Sequence, residues 1–180
     1  MSKPSAIKRL AGGAPWEPIF GYSRVVRAGD WIAVSGTTSF DRNGQIVGFG
    51  QMYVQTRQAI ANITAALERA GATLGDVVRT RIFATDLTRF AAIARAHRER
   101  FGAAPPASTV VEVRRLVHPD MLVEIEADAY APASRQDTTP SPQPPVARRP
   151  KTKIVASTPR SVKPRSPKAR ATAVGLTENR

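Results

Sequence analysis

The sequence has no cysteine among its 180 residues, so disulfide bonds and metal sites with thiolate ligands are excluded. It has no apolar run that approaches the length needed to span a membrane. Its first fifteen residues, MSKPSAIKRLAGGAP, are basic but lack the apolar segment of a signal peptide. We therefore expect a soluble, cytoplasmic protein.

Motifs for metal binding, nucleophilic catalysis and phosphate binding are also missing. His97 and His118 are the only two histidines, and we expect the first to pack on an apolar helix face and the second to lie in a turn. The sequence contains no G-x-S-x-G, G-K-[ST] or G-x-G-x-x-G string. The residues therefore predict neither a metal site nor a nucleotide cofactor.

The last fifty residues contain no aromatic side chain, and their composition differs from that of the rest of the chain. Residues 131–180 hold 11 Lys/Arg, 2 Asp/Glu and 9 of the 15 prolines, which gives +9 there and +4 in the remainder. Such a segment cannot bury enough apolar surface to offset the entropy cost of ordering. We therefore predict a flexible N-terminus over 1–14, a globular domain over 15–131 and a disordered, basic, proline-rich tail over 132–180.

The apolar periodicity of the globular part predicts an α+β domain with the order ββ-α-β-α-ββ. Two strands lie around RAGD, and QMYVQTRQAIANITAALERAG has a helical stripe that ends at Gly71. A second helix covers TRFAAIARAHRERFG, and STVVEV and MLVEIEADAY are the last strands. Two helices on one face of a mixed sheet form a two-layer domain and leave the other face open, which a small protein would cover by oligomerising.

Several strings, in this order, resemble the Rid (reactive intermediate deaminase, or YjgF) family. They are GYSRVVRAGDWIAVSGTT, QTRQAIANITAALERAGATLGDVVRTRIFATDL, ERFG and PASTVVEVRRL…LVEIEADA, and together they cover about residues 20–131. The resemblance implies a chorismate-mutase-like fold and a homotrimer with clefts between subunits. It also implies hydrolysis of reactive enamines and imines to 2-keto acids and ammonia, without a metal or organic cofactor.

The resemblance assigns site residues through matching positions. Tyr22 matches an aromatic residue that lines the cleft, Ser35 and Gly36 match a Ser-Gly pair, and Glu124 matches the carboxylate that positions the attacking water. From the residues alone, Glu124 can equally belong to a strand whose alternate carboxylates face solvent.

Two positions depart from the family pattern. Ser108 stands where the arginine that grips a substrate carboxylate belongs, and Ala94 stands where an asparagine is frequent. Loss of a bidentate clamp impairs substrate positioning, so we expect weak or altered imine hydrolysis. Ser108 either binds a ligand in the cleft or satisfies a nearby backbone group, and Arg24 is our preferred substitute for the missing arginine.

The basic tail supports an alternative of a different class. Cations interrupted by prolines over residues 132–180 would neutralise nucleic-acid phosphates without sequence specificity. Three tails on one trimer would act together. The alternative is therefore a non-enzymatic binding or regulatory protein that contacts nucleic acid through its tail, and a merely solubilising tail remains equally open.

Overall fold

A computed structural model describes residues 7–132 of the chain, so nearly all of the predicted tail lies outside the described residues. The described part folds as one sheet with helices, and its first element is a strand that the sequence did not predict. The strands are β1 (Ile7–Leu10), β2 (Val25–Ala28), β3 (Trp31–Thr37), β4 (Val77–Ala84), β5 (Ala107–Glu112) and β6 (Val123–Tyr130), and the helices are α1 (Trp16–Phe20), α2 (Met52–Arg69) and α3 (Phe90–Phe101).

The sheet is mixed, as the sequence predicted. Its strand order is β1-β2-β3-β6-β4-β5, and β4 and β5 are parallel while the other neighbours are antiparallel. Parallel neighbours need a crossover connection, which α3 supplies between β4 and β5. The sheet and its helices therefore form the predicted α+β architecture.

Residues 7–10, within the predicted N-terminal segment 1–14, form strand β1. Strand β1 pairs antiparallel with β2 at the edge of the sheet. Its side chains are mostly exposed, and Leu10 is the residue of the strand that packs against the core. The strand is therefore held mainly by backbone hydrogen bonds to β2. Because few of its side chains are buried, the hydrophobic pattern of the sequence does not predict it.

Helix α2 provides the centre of the core. The predicted stripe is buried throughout, and it comprises Met52, Thr56, Ile60, Ile63, Leu67 and Ala70. The helix ends at Arg69, and the predicted capping residue Gly71 lies at the C′ position with a φ of 76°, which glycine readily adopts. The Gly71 N–H donates to Glu68 O at 3.0 Å and the Ala72 N–H donates to Leu67 O at 2.9 Å, which is a Schellman motif.

Two polar side chains of α2 fix the segments that flank the candidate site. Gln55 donates to Asp120 O at 2.8 Å and accepts from the Leu122 N–H at 2.8 Å, which fixes the chain just before β6. Asn62 donates to Thr38 O at 2.9 Å and to Phe40 O at 2.8 Å, just after β3. Helix α2 therefore holds β3 and β6 in register at the end of the sheet where the predicted site residues lie.

The two faces of the sheet differ in chemistry. Along β6, the side chains at 123, 125, 127 and 129 are buried against the helices, as the alternation of the sequence predicts. Glu124, Glu126 and Asp128 lie on the opposite face and are partly exposed. We call this second face of the sheet the open face.

Candidate functional site

Glu124 lies on the open face beside Gly36, at a local irregularity of β3. The pairing of β3 with β6 shifts in register between Val34 and Thr37, which brings the backbone of Gly36 against the Glu124 side chain. A methyl group on Gly36 would overlap the Glu124 carboxylate and would lie 2.9 Å from its Cδ. The close approach of backbone and carboxyl therefore requires glycine at this position.

Arg24 holds this irregular segment together. Its Nη1 donates to Gly36 O at 2.6 Å, to Ser35 O at 3.3 Å and to Thr37 Oγ1 at 3.0 Å. Its Nη2 donates to Tyr22 Oη at 2.9 Å, and the guanidinium carbon lies 5.4 Å from the centroid of the Tyr22 ring. Most of the donors of Arg24 are thus engaged within the protomer, and a role in substrate binding stays a prediction.

Glu17 lies next to Arg24, and no pattern in the sequence pointed to it as a site residue. The Glu17 side chain is 7% exposed, its Oε1 lies 4.0 Å from Arg24 Nε, and its carboxylate accepts from the Gly12 N–H at 2.7 Å. Helix α1, which carries Glu17, ends at Gly21 in the left-handed region with φ 75°, and the chain then turns into Tyr22. No periodicity in the sequence indicates this short helix.

Ser35 lies in the same cluster, where its hydroxyl donates to Ser23 O at 2.7 Å. The structure therefore brings together five sequence-predicted residues on one face, and we call them the open-face cluster: Tyr22, Arg24, Ser35, Gly36 and Glu124.

Burial raises the pKa of Glu124 above that of an ordinary glutamate, and the neighbouring Glu126 carboxylate raises it further, while Arg24 opposes the rise. Arg81 pairs with Glu126 at 3.4 Å and with Asp128 at 3.2 Å. Neither ion pair includes Glu124. The environment of Glu124 therefore favours proton uptake by its carboxylate.

Ser108 lies on the other side of the sheet, at the start of β5. It is paired with Thr80 of β4, whose hydroxyl donates to Ser108 Oγ at 2.9 Å and lies 3.2 Å from His97 Nε2. The partner of Ser108 is thus a buried hydroxyl rather than a backbone group. His97 also packs on Phe101 with ring centroids 4.5 Å apart, as expected for a histidine on an apolar stripe, and burial lowers its pKa.

A cavity of about 310 Å³ opens between α3 and the strands β4 and β5, and we call it the α3–β5 cavity. Ser108 and His97 are the lining residues with polar side chains, and the other lining side chains are apolar. The lining residues are Ile82, Phe90, Ile93, Ala94, His97, Ser108 and Val110.

One protomer does not bring the open-face cluster and the α3–β5 cavity together. Ser108 pairs with Thr80, and Glu124 pairs with Phe83 of the same strand β4. Thr80 and Phe83 are three positions apart, so their side chains point to opposite faces of the sheet. The predicted catalytic carboxylate and the predicted binding serine therefore lie on opposite surfaces of the protomer.

The structure places the second histidine in a turn, as predicted. His118 Nδ1 accepts from the Asp120 N–H at 3.2 Å. Among residues 7–132 there is no group of three or more His, Cys, Asp or Glu side chains that could hold a metal ion. Within the same residues, no helix combines the length and the hydropathy that a membrane crossing requires.

Comparison with known proteins identifies the family and the fold. The sequence model of the Endoribonuclease L-PSP family matches residues 13–131. RutC family protein PYRAB12510 of Pyrococcus abyssi is 43% identical over 115 residues, which cover 63% of this chain and 89% of that protein. Rv2704 of Mycobacterium tuberculosis, a member of the YjgF/YER057c/UK114 family, has a crystal structure with a TM-score of 0.64 and 42% identity, covering 70% of this chain and 100% of that one. The structure of YyfA, a Rid family protein of Yersinia pestis, gives a TM-score of 0.63 at 30% identity over 70% of this chain and 100% of that one. The chain therefore belongs to the Endoribonuclease L-PSP family, which is the Rid (YjgF) family that its motifs resemble.

Proposed function

We propose that the protein is a Rid-like homotrimer that binds a small molecule in clefts between protomers and hydrolyses imines or enamines there. The observation that carries the proposal is the half-buried Glu124 carboxyl, held beside Gly36 on the open face of the sheet. A carboxylate with a raised pKa is a stronger base at neutral pH than an ordinary one.

The proposed reaction is R₂C=NH + H₂O → R₂C=O + NH₃. Glu124 accepts a proton from water as the water oxygen bonds to the imine carbon. Glu124 returns this proton to the nitrogen, which gives the neutral carbinolamine. Glu124 then takes the proton of the carbinolamine hydroxyl and delivers it to the nitrogen as the C–N bond breaks, which releases ammonia and leaves the carbonyl product. An enamine enters the same path once it has tautomerised to the imine. Each step uses the one carboxyl group first as base and then as acid, which its raised pKa favours.

The separation of the two surfaces supports a site between protomers. The open-face cluster and the α3–β5 cavity point away from each other within one chain, so a cleft that uses both needs one surface from each of two neighbours. A closed ring of heterologous contacts provides this arrangement for every protomer. The carboxylate-bearing open face would then become an inner wall of the assembly.

The position of Ser108 supports an altered specificity. A serine hydroxyl cannot form the two parallel N–H···O bonds that an arginine gives to a carboxylate. Arg24 would have to release Gly36 O or Tyr22 Oη to take over that role, because its donors already bind these groups at 2.6 and 2.9 Å.

The first test compares Glu124→Gln with Glu126→Gln. Both variants remove one carboxylate from the same face of β6, but only the first removes the proposed base. Ammonia release from an enzymatically generated imine should fall by about 10²-fold or more in Glu124→Gln, because general acid–base catalysis contributes on this scale. Glu126→Gln should stay within a few-fold of the wild type. Equal rates in the two variants would show that Glu124 has no special role.

The second test addresses the cleft between protomers. Glu124→Gln disables one surface, and Ala94→Trp fills the cavity on the other. Subunits of the two inactive variants are then mixed in equal amounts. An intact cleft forms wherever an Ala94→Trp protomer, which still has Glu124, adjoins a Glu124→Gln protomer, which still has an open cavity. Random assembly should restore roughly a quarter of the wild-type activity in a closed ring. Mixtures that stay inactive, although subunits have exchanged, would contradict a shared site.

The composition of the tail favours a second function, namely sequence-independent contact with nucleic acid. Residues 132–180 carry most of the excess positive charge, +9 of the net +13, and they lie almost wholly outside the described residues. Full-length protein and a version ending at residue 131 should differ in DNA and RNA affinity, and the difference should shrink as salt rises. Equal, salt-independent binding by both would exclude this function.

A further inference from the structure

We infer that the α3–β5 cavity binds an uncharged ligand with an apolar body and one hydrogen-bonding heteroatom, and that this heteroatom lies against Ser108. The inference rests on the proposed function and names its substrate class: imines and enamines that carry no carboxylate.

The wall of the cavity has no group that could neutralise an anion. None of its lining residues is Lys or Arg, and Ile82 and Ile93 are almost fully buried beneath its surface. A carboxylate in such a place would lose its hydration without gaining a cation or a fork of N–H donors. An aliphatic or aromatic group, in contrast, would replace water against Phe90, Ala94 and Val110 at no such cost.

The polar end of the cavity is a chain of three side chains that ends at Ser108. Thr80 is fully buried and has one hydroxyl proton, yet it lies within hydrogen-bonding distance of both Ser108 Oγ and His97 Nε2. If Thr80 donates to Ser108, then His97 Nε2–H donates to Thr80 and the Ser108 proton is free for a ligand acceptor. If Ser108 donates to Thr80, then Thr80 donates to the bare Nε2 and the Ser108 oxygen is free to accept.

The two arrangements suit the two ends of the proposed reaction. An imine nitrogen or a carbonyl oxygen needs a donor, while an N–H of the imine or of the departing ammonia needs an acceptor. Ser108 offers either one after the protons shift along the chain. Because burial lowers the pKa of His97, the ring stays neutral near pH 7 and the chain supplies no positive charge for a carboxylate.

The size of the cavity is consistent with a metabolite of this kind. A volume of about 310 Å³ lies at the lower end of the range usual for small-molecule sites. A matched pair of probes measures the effect of a carboxylate on binding. The probes 4-methyl-2-pentanone and 4-methyl-2-oxopentanoate share the isobutyl carbonyl unit, and the first carries a methyl group where the second carries a carboxylate.

Binding of the two probes to the full chain, followed by NMR titration, tests the inference. The wild type should bind the ketone at least tenfold more tightly than the keto acid, and Ser108→Arg should reverse the order. Thr109→Arg is the matched control, because Thr109 pairs with Arg81 and points to the other face of β5, so it adds the same charge outside the cavity. Ala94→Trp should abolish binding of the ketone, and thermal unfolding would verify that each variant is folded.

Any of three binding results for the wild type would overturn the inference: a preference for the keto acid, equal binding of both probes, or no binding of either. The last would mean that a neighbouring protomer or a collapsed wall fills the cavity. Reversal of the preference by Thr109→Arg as well as Ser108→Arg would also overturn it, because general charge rather than the cavity would then select the ligand.

Turnover separates this inference from the proposed function. Isoamylamine and an amine oxidase generate an imine without a carboxylate, and leucine and an amino-acid oxidase generate the corresponding imino acid. Faster hydrolysis of the first supports both proposals. Faster hydrolysis of the second supports the function and contradicts the inference. Acceleration of neither, together with selective binding of the ketone, contradicts the function and leaves the binding inference standing.

Discussion

Replacement of Gly36 by alanine tests whether the position of the Glu124 carboxyl matters for the proposed reaction. The added carbon would lie 2.9 Å from Glu124 Cδ, whereas nonbonded carbons prefer about 3.5–4.0 Å. The carboxyl group must therefore retreat by roughly 0.6–1.1 Å from its present place. A displacement of about 1 Å can cost about 10²-fold in rate when catalysis depends on alignment.

The same substitution should change stability only modestly. Gly36 does not have a positive φ, so alanine can adopt its backbone conformation without strain. The overlapping atoms belong to the end of a flexible side chain, which can rotate away. We therefore expect a change of about 1 kcal/mol or less in the free energy of unfolding, because alanine also lowers the entropy of the unfolded chain.

Steady-state kinetics on an enzymatically generated imine, combined with urea unfolding, measures both quantities. Gly75→Ala is the matched control, since a Cβ there would meet Thr73 Oγ1 at an ordinary 3.5 Å. The expected result is a large loss of kcat/KM in Gly36→Ala alone, with both variants folded. Wild-type activity in Gly36→Ala would refute the reasoning, because the Glu124 carboxyl could then not be acting from a fixed position.

Two further predictions concern stability. Arg27 is 8% exposed and donates to Ala70 O at 2.8 Å and to Ala131 O at 2.6 Å. Arg27→Met leaves these carbonyls unsatisfied, so it should lower the free energy of unfolding, measured in urea, by about 2–4 kcal/mol. A loss below about 0.5 kcal/mol would mean that water replaces the guanidinium there. Because the folded-state pKa of Glu124 is raised, its contribution to stability is fully present below the ordinary pKa of glutamate and is lost as pH rises through the raised value. Unfolding free energies of the two proteins, measured across pH, should therefore show the wild type losing stability relative to Glu124→Gln between acidic and neutral pH. A difference between the two proteins that does not change with pH would contradict the raised pKa.

The parts of the fold that depend on periodicity could be predicted from the sequence. The stripe of α2 and the alternation of β6 are regular over many residues, and both are observed. Strand β1 and helix α1 could not be predicted in this way, because they have four and five residues and are mostly exposed. Segments of this length show too few repeats for a period to be recognised.

Most of the candidate site was predictable because family positions carry it. The resemblance pointed to Glu124 and Gly36, which the structure places side by side. It did not indicate Thr80, which joins Ser108 to His97 across 28 and 17 positions of sequence. Contacts of this kind depend on strand register and on the crossover of α3, and no local pattern encodes them.

The separation of the two surfaces also bears on what the serine at position 108 changes. The side chains that position the Glu124 carboxyl belong to the open face. Arg24 donates to Gly36 O and lies beside Glu17, and neither contact involves β5. A substitution at Ser108 therefore alters the wall of the cavity without touching the groups proposed to activate water. Under the proposed mechanism, such a change alters which ligand the cavity binds, and Glu124 on the opposite face can still activate water. The absence of the arginine thus favours a different substrate over a lost reaction.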